Sequence, residues 1–146
     1  CHGDFHASNF IYFPGNGGEV GAKEEIYALD WSEVGVWEGV YDLAQMFISD
    51  ISPQLFVKYG KEIVKCYWDE LVENGIEKAA YPFEQCWESF CRGGMERWVW
   101  LFAVLSGMEN FPETTMQFFH DQLLAFYNEF GGNRSHFQMK LVVHVM

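Results

Sequence analysis

An α+β chain with most of its length in helices is predicted by three observations. Two short aromatic and β-branched runs, Phe10-Ile11-Tyr12-Phe13 and Ile26-Tyr27-Ala28-Leu29, lie near the start on either side of a polar, glycine-rich segment. After Asp42 the apolar residues instead recur at helical intervals. Proline, glycine and asparagine punctuate that second region where helices would start and stop. A length of 146 residues suits a single domain or lobe.

The two early runs read as the strands of a hairpin, with Gly15-Asn16-Gly17-Gly18 in its turn. The segment from Leu43 to Ile48 begins the helical region. Ser52 as N-cap and Pro53 in the first turn open a long helix through Leu55, Phe56, Tyr59, Ile63, Cys66, Tyr67 and Leu71, which Asn74-Gly75 ends. Tyr81-Pro82 opens the next helix, which Gly93-Gly94 either bend or divide before Met95 to Leu105. Pro112 restarts the pattern, and Met116, Phe119, Leu123, Phe126, Tyr127 and Phe130 mark a last helix ending at Gly131-Gly132. The β-prone tail from Leu141 to Met146 has no identifiable partner.

The chemistry is concentrated at the start. His2-Gly3-Asp4 is followed by Asn9, so four residues separate the carboxylate from the amide. A kinase catalytic loop uses that spacing, although Gly3 stands where the protein-kinase pattern has Arg. Phosphoryl transfer needs a carboxylate to orient and deprotonate the attacking hydroxyl, and oxygen ligands to hold Mg²⁺ on the nucleotide. Asp4 suits the first task and Asn9 the second. Asp30, expected at the end of a buried strand with Trp31 packed beneath it, is the natural second metal ligand. Asp42, at the start of a helical run, reads as structural support able to bind loop amides. His2 reads as an organiser of the loop. His6 orients phosphate or the loop, or is a structural histidine.

With these motifs in order, the chain resembles the aminoglycoside phosphotransferase and choline kinase superfamily, including its ecdysteroid kinase-like branch. His2-Gly3-Asp4-Phe5-His6-Ala7-Ser8-Asn9 resembles the family's catalytic loop, Leu29-Asp30-Trp31 its metal-binding segment, and Asp42-Leu43-Ala44 its helix start. The resemblance implies the C-terminal lobe of a protein kinase-like fold, with the short hairpin beside the catalytic loop. It also implies ATP-dependent phosphorylation of a small-molecule hydroxyl, with Asp4 as base, Asn9 and Asp30 on Mg²⁺, and Asp42 bracing the loop. Kinases of this type carry a nucleotide-binding lobe before the loop, whereas this sequence opens inside the motif without an initiator Met. The expectation is therefore that residues 1–146 are one catalytic lobe, inactive alone, whose partners are the N-terminal lobe of the same polypeptide and a hydroxyl acceptor.

Two other functional classes compete with this reading. Asp4-Phe5-His6 also fits the Asp-x-His of dinuclear metallophosphoesterases, but the companion Gly-Asp-x-x-Asp and Gly-Asn-His segments are missing. A catalytically inactive kinase-like binding or regulatory module is the nonenzymatic alternative.

Composition narrows the partners. The formal charge of -12 argues against nucleic acid and permits a cationic substrate. No apolar stretch approaches the roughly 18 to 20 residues needed to span a bilayer. Cys1, Cys66, Cys86 and Cys91 form neither a zinc pattern nor a disulfide framework, so reduced thiols and a cytoplasmic location are expected. His120, His136 and His144 lack ligand spacing. Trp31, Trp37, Trp68, Trp87, Trp98 and Trp100 invite a cation cage, but helical spacing favours core packing for most of them.

Overall fold

The computed structural model describes residues 1–15 and 23–131. Within them the chain is α+β and mostly helical: a two-stranded hairpin, β1 (Phe10–Phe13) and β2 (Glu25–Ala28), precedes α1 (Val40–Asp50), α2 (Pro53–Glu73), α3 (Phe83–Ser106) and α4 (Glu113–Phe126). Most of the Gly15-Asn16-Gly17-Gly18 turn and the 141–146 tail lie outside the described residues.

β1 and β2 pair antiparallel, with Phe10 opposite Ala28 and Phe13 opposite Glu25. This register sets Asn9 beside Leu29, whose N–H donates to the Asn9 carbonyl at 2.8 Å. The loop from His2 to Asn9 and the Asp30 segment are thereby tied together by one ladder. The expected burial of the second strand is not found. Ile11, Tyr12, Phe13, Ile26, Tyr27 and Leu29 are all exposed, because no described element covers either face of the hairpin.

The helices pack through one aromatic core. Phe47 of α1, Phe56 of α2, Phe90 of α3 and Phe126 of α4 are all buried. Phe47 meets Phe90 edge-on at 5.1 Å between centroids, and Phe90 meets Phe126 at 5.4 Å. The buried stripe of α2 is Phe56, Gly60, Val64 and Trp68, while Leu55, Tyr59, Ile63 and Cys66 face outward. Gly60 accounts for this stripe: a Cβ there would meet the Phe130 and Phe47 rings, so the aromatic residues fill the space its missing side chain leaves.

Ser52 occupies the N-cap position of α2 and Pro53 opens it, but the Ser52 side chain makes no capping bond. Gly75, at φ 102°, closes the helix, with Ile76 N–H reaching back to the Leu71 carbonyl at 3.0 Å. Gly93 and Gly94 do not divide α3, which runs unbroken from Phe83 to Ser106. Their role is close approach: a Cβ on Gly93 would overlap the Tyr41 ring, and one on Gly94 would press on Ala44 and Phe126. These two glycines let α1 lie directly against α3. α4 is followed by a wider π turn over Tyr127–Gly131.

Candidate active site

The loop that carries Asp4 is shaped first by Gly3. Its φ of 87° lies in the left-handed region, and a Cβ would overlap the Glu33 carbonyl oxygen. The Gly in place of Arg is therefore a steric requirement of this loop.

Asp42 lies in the first turn of α1, where a carboxylate is favoured by the helix N-terminus. Its side chain turns outward instead of capping its own helix. It accepts the His2 N–H at 2.6 Å and the Gly3 N–H at 3.0 Å. His2 is 2% exposed. Its Nε2 donates to the Leu29 carbonyl at 2.7 Å, while Nδ1 accepts the Asp4 N–H at 3.3 Å. One imidazole thus connects the loop to the strand end that precedes Asp30.

Asp4 is held on both carboxylate oxygens. Oδ2 accepts from Asn9 Nδ2 at 3.3 Å and lies 3.3 Å from His6 Nε2. The same Asn9 amide donates to the Asp4 carbonyl at 2.9 Å, closing the loop on itself. Oδ1 accepts from Gln45 Nε2 at 3.1 Å and lies 3.9 Å from Arg97 Nη2. Gln45 and Arg97 carry no motif in the sequence. The signal that finds Gln45 is its i+3 spacing from Asp42, which places both on one face of α1.

Asp30 sits at φ 54° and is exposed. Asp tolerates this conformation by bonding its own backbone, and here its Oδ1 accepts from Ser32 Oγ at 2.6 Å and Ser32 N–H at 3.4 Å. The Ser32 hydroxyl and N–H hold its carboxyl below the usual range, with smaller contributions from His2 and His6. Trp31 does not pack beneath Asp30. Its ring lies against His2 at 4.6 Å, and its Nε1 donates to the Ala28 carbonyl at 3.2 Å.

The donor set suits Mg²⁺. Asn9 Oδ1 and Asp30 Oδ2 accept no hydrogen bond among the described residues, which leaves two hard oxygens available. Among those residues no group of three or more His, Cys, Asp or Glu could hold a metal alone. Oxygen donors are nevertheless the kind Mg²⁺ takes, one or two from the protein with phosphate oxygens and water completing its shell.

A cleft of about 270 Å³ opens between α1 and α3, lined by Tyr41, Asp42, Gln45, Glu96, Arg97 and Trp100, among others. Trp37 also lines it, while Trp68 and Trp98 are buried in the core. The expectation of core packing therefore fits Trp68, Trp98 and Trp87, which stacks on Phe90, whereas Trp37 and Trp100 flank the cleft and Trp31 is exposed.

A helical lobe carrying a braced Asp and Asn loop beside an open cleft is the arrangement of a kinase-like phosphotransferase. Residues 1–81, more than half of the chain, match the ecdysteroid kinase-like family, and the chain belongs to it. That family is a member of the protein kinase-like and choline kinase superfamily. No curated protein and no solved structure matches the chain. No described helix is long and apolar enough to cross a membrane, and the four cysteines form no disulfide with one another.

Proposed function

We propose that this chain is the acceptor-side lobe of an ATP-dependent kinase that phosphorylates a hydroxyl of a small molecule. The observation that carries the reading is the Asp4 carboxylate, fixed by Asn9 on Oδ2 and Gln45 on Oδ1 while the α1/α3 cleft stays open beside it. A general base must be held in place before the acceptor arrives, since positioning supplies much of the rate in phosphoryl transfer.

In this reading Asp4 orients the acceptor hydroxyl and takes its proton. The acceptor oxygen bonds to the γ-phosphorus as the bond to the bridging oxygen breaks, and ADP leaves. Asn9 and Asp30 would hold Mg²⁺, which would supply charge neutralisation on the phosphates. His2 and Asp42 keep the loop in register.

The exposed apolar side chains of the hairpin supply a surface for a nucleotide-binding lobe from the same polypeptide. Residues 1–146 alone are then inactive, because half of the phosphate clamp lies in that lobe. A cytoplasmic setting accords with the reduced cysteines and the ATP requirement.

The test is ATP-dependent phosphorylation by the full-length protein across amino sugars, choline-like alcohols and steroid-like alcohols. Product formation that disappears in Asp4→Asn is expected. ATP binding without transfer to any acceptor would instead favour a regulatory module.

A further inference from the structure

Helix α1 holds the loop at successive points along its length. Asp42 accepts from His2 and Gly3, Gln45 donates to Asp4, and Asp50 Oδ2 accepts the Ala7 N–H at 3.0 Å. Loop and helix therefore run side by side in the same residue order, and Asp50 makes the contact farthest along both. Nothing local in the sequence marks that pairing, which spans 43 positions.

Asp50 is poorly placed for the helix that carries it. It is the last residue of α1, where the dipole disfavours a carboxylate, and the last turn holds no basic residue. Among the described residues it forms no ion pair. The end of α1 is served from elsewhere, since Nε2 of the buried Gln122 donates to the Ile48 and Ile51 carbonyls at 3.1 and 3.0 Å. The folding of α1 gives no reason for an acid at this position.

The loop does give one. Ala7 opens a single 3-10 turn over Ala7–Asn9, and the preceding His6 supplies no side-chain cap. The first N–H groups of a helical turn have no partner within it. Asp50 takes the Ala7 N–H from outside, with the Ser49 hydroxyl set against the same carboxylate oxygen. The turn ends at Asn9, whose side-chain amide donates to the Asp4 carbonyl and Oδ2, and whose own carbonyl accepts the Leu29 N–H.

We infer that Asp50 is a positioning residue: by capping the Ala7–Asn9 turn it sets where Asn9 stands and, through the Asn9 amide, where the Asp4 carboxylate stands. The role needs an acceptor oxygen and not a charge. Because the bond is exposed, water takes the freed N–H when the carboxylate is removed, so placement is lost and folding stability is not. The effect on turnover rests on the kinase reading above, whereas the cap itself does not.

The experiment compares the full-length wild type with Asp50→Ala, which removes the acceptor, and Asp50→Asn, which keeps one. The acceptor is whichever of the amino sugars, choline-like alcohols and steroid-like alcohols yields most product. Asp50→Ala should lower kcat by about 3- to 10-fold, the scale of one net hydrogen bond, with KM for ATP near that of the wild type. Hydrogen exchange at the Ala7 amide should accelerate in the same variant. Asp50→Asn should keep both close to the wild type. Denaturant midpoints should hold or rise in both variants, because an acid leaves the negative end of α1. An unchanged kcat in Asp50→Ala, equal losses in the two variants, or a midpoint that falls in step with kcat would overturn the positioning role and leave the kinase reading standing. A wild type that transfers phosphate to none of these alcohols would remove the kinase reading instead, and the turnover effect with it. The cap is then decided by Ala7 exchange alone, and a rate that Asp50→Ala leaves unchanged would overturn it.

Discussion

The Asp42 carboxylate accepts the backbone N–H groups of both His2 and Gly3, at 2.6 and 3.0 Å, across some 40 residues of chain. Helix α1 thereby fixes the peptide that carries Asp4. Asp42→Ala should orphan both amides, at about 1–3 kcal/mol each in folding stability. Asp42→Asn keeps only one acceptor oxygen and should fall between. Denaturant unfolding of the full-length protein and its variants measures this, and an unchanged midpoint for Asp42→Ala would mean that the loop is held by other contacts.

Asp4→Asn removes a base but little volume. The proposed mechanism expects kcat to fall by ~10²–10⁴-fold while nucleotide affinity stays near that of the wild type. Parallel measurement of kcat and ATP binding in the full-length protein decides it. Near-normal turnover would exclude Asp4 as the base.

Much of this architecture is legible in the sequence because its signals are local. Strand composition marks the hairpin, Ser52-Pro53 and Asn74-Gly75 bound α2, and Pro112 precedes α4. The face of α2 is less legible, because Gly60 counts as no hydrophobe in a periodic pattern yet sits under Phe47 and Phe130. Gly93 and Gly94 mislead for the same reason: within one helix they read as a bend or a division, and only α1 lying against them explains both. The loop residues Asp4 and Asn9 are found by spacing, but Gln45 and Arg97 reach Asp4 across 41 and 93 positions through the packing of α1 on α3. No sequence period encodes that contact.

Gly3→Ala should destabilise the protein by more than the ~1–2 kcal/mol that a left-handed conformation costs an L-residue. The added Cβ also displaces the Glu33 carbonyl. Gly75→Ala supplies the comparison, since Gly75 has φ 102° but a Cβ there would meet nothing within 4 Å. Denaturant midpoints should rank wild type, then Gly75→Ala, then Gly3→Ala. Equal losses at the two sites would mean that Glu33 yields freely.

Tyr67 gives a pH dependence at the alkaline end. Burial, with smaller contributions from Cys86, Asp42 and Glu38, pushes its phenol up to about 12. The unfolded phenol titrates near 10, so between those values the folded state holds a proton that the unfolded state has released. Stability therefore declines as pH rises through that window, and Tyr67→Phe should make the decline shallower. Thermal unfolding from about pH 9 to about 12 tests it. Parallel curves for wild type and variant would refute the assignment.

Asp30→Ala separates metal binding from base catalysis. Asp4→Asn should slow turnover with little effect on the Mg²⁺ requirement, because the proposed role of Asp4 is that of base and its Oδ1 is held by Gln45. Asp30 is placed on the strand end that His2 and Asn9 tie to the loop, and its Oδ2 is the oxygen left over for a cation. Removing it should raise the Mg²⁺ concentration for half-maximal activity by at least ~10-fold, since even indirect partners of a metal are commonly worth that much. Ser32→Ala should produce a smaller shift in the same direction, because Ser32 only fixes the rotamer of Asp30. Titration of Mg²⁺ at saturating ATP reads both variants against the wild type. A lowered kcat with an unchanged Mg²⁺ midpoint in Asp30→Ala would reject Asp30 as a ligand and leave Asn9 without its proposed partner.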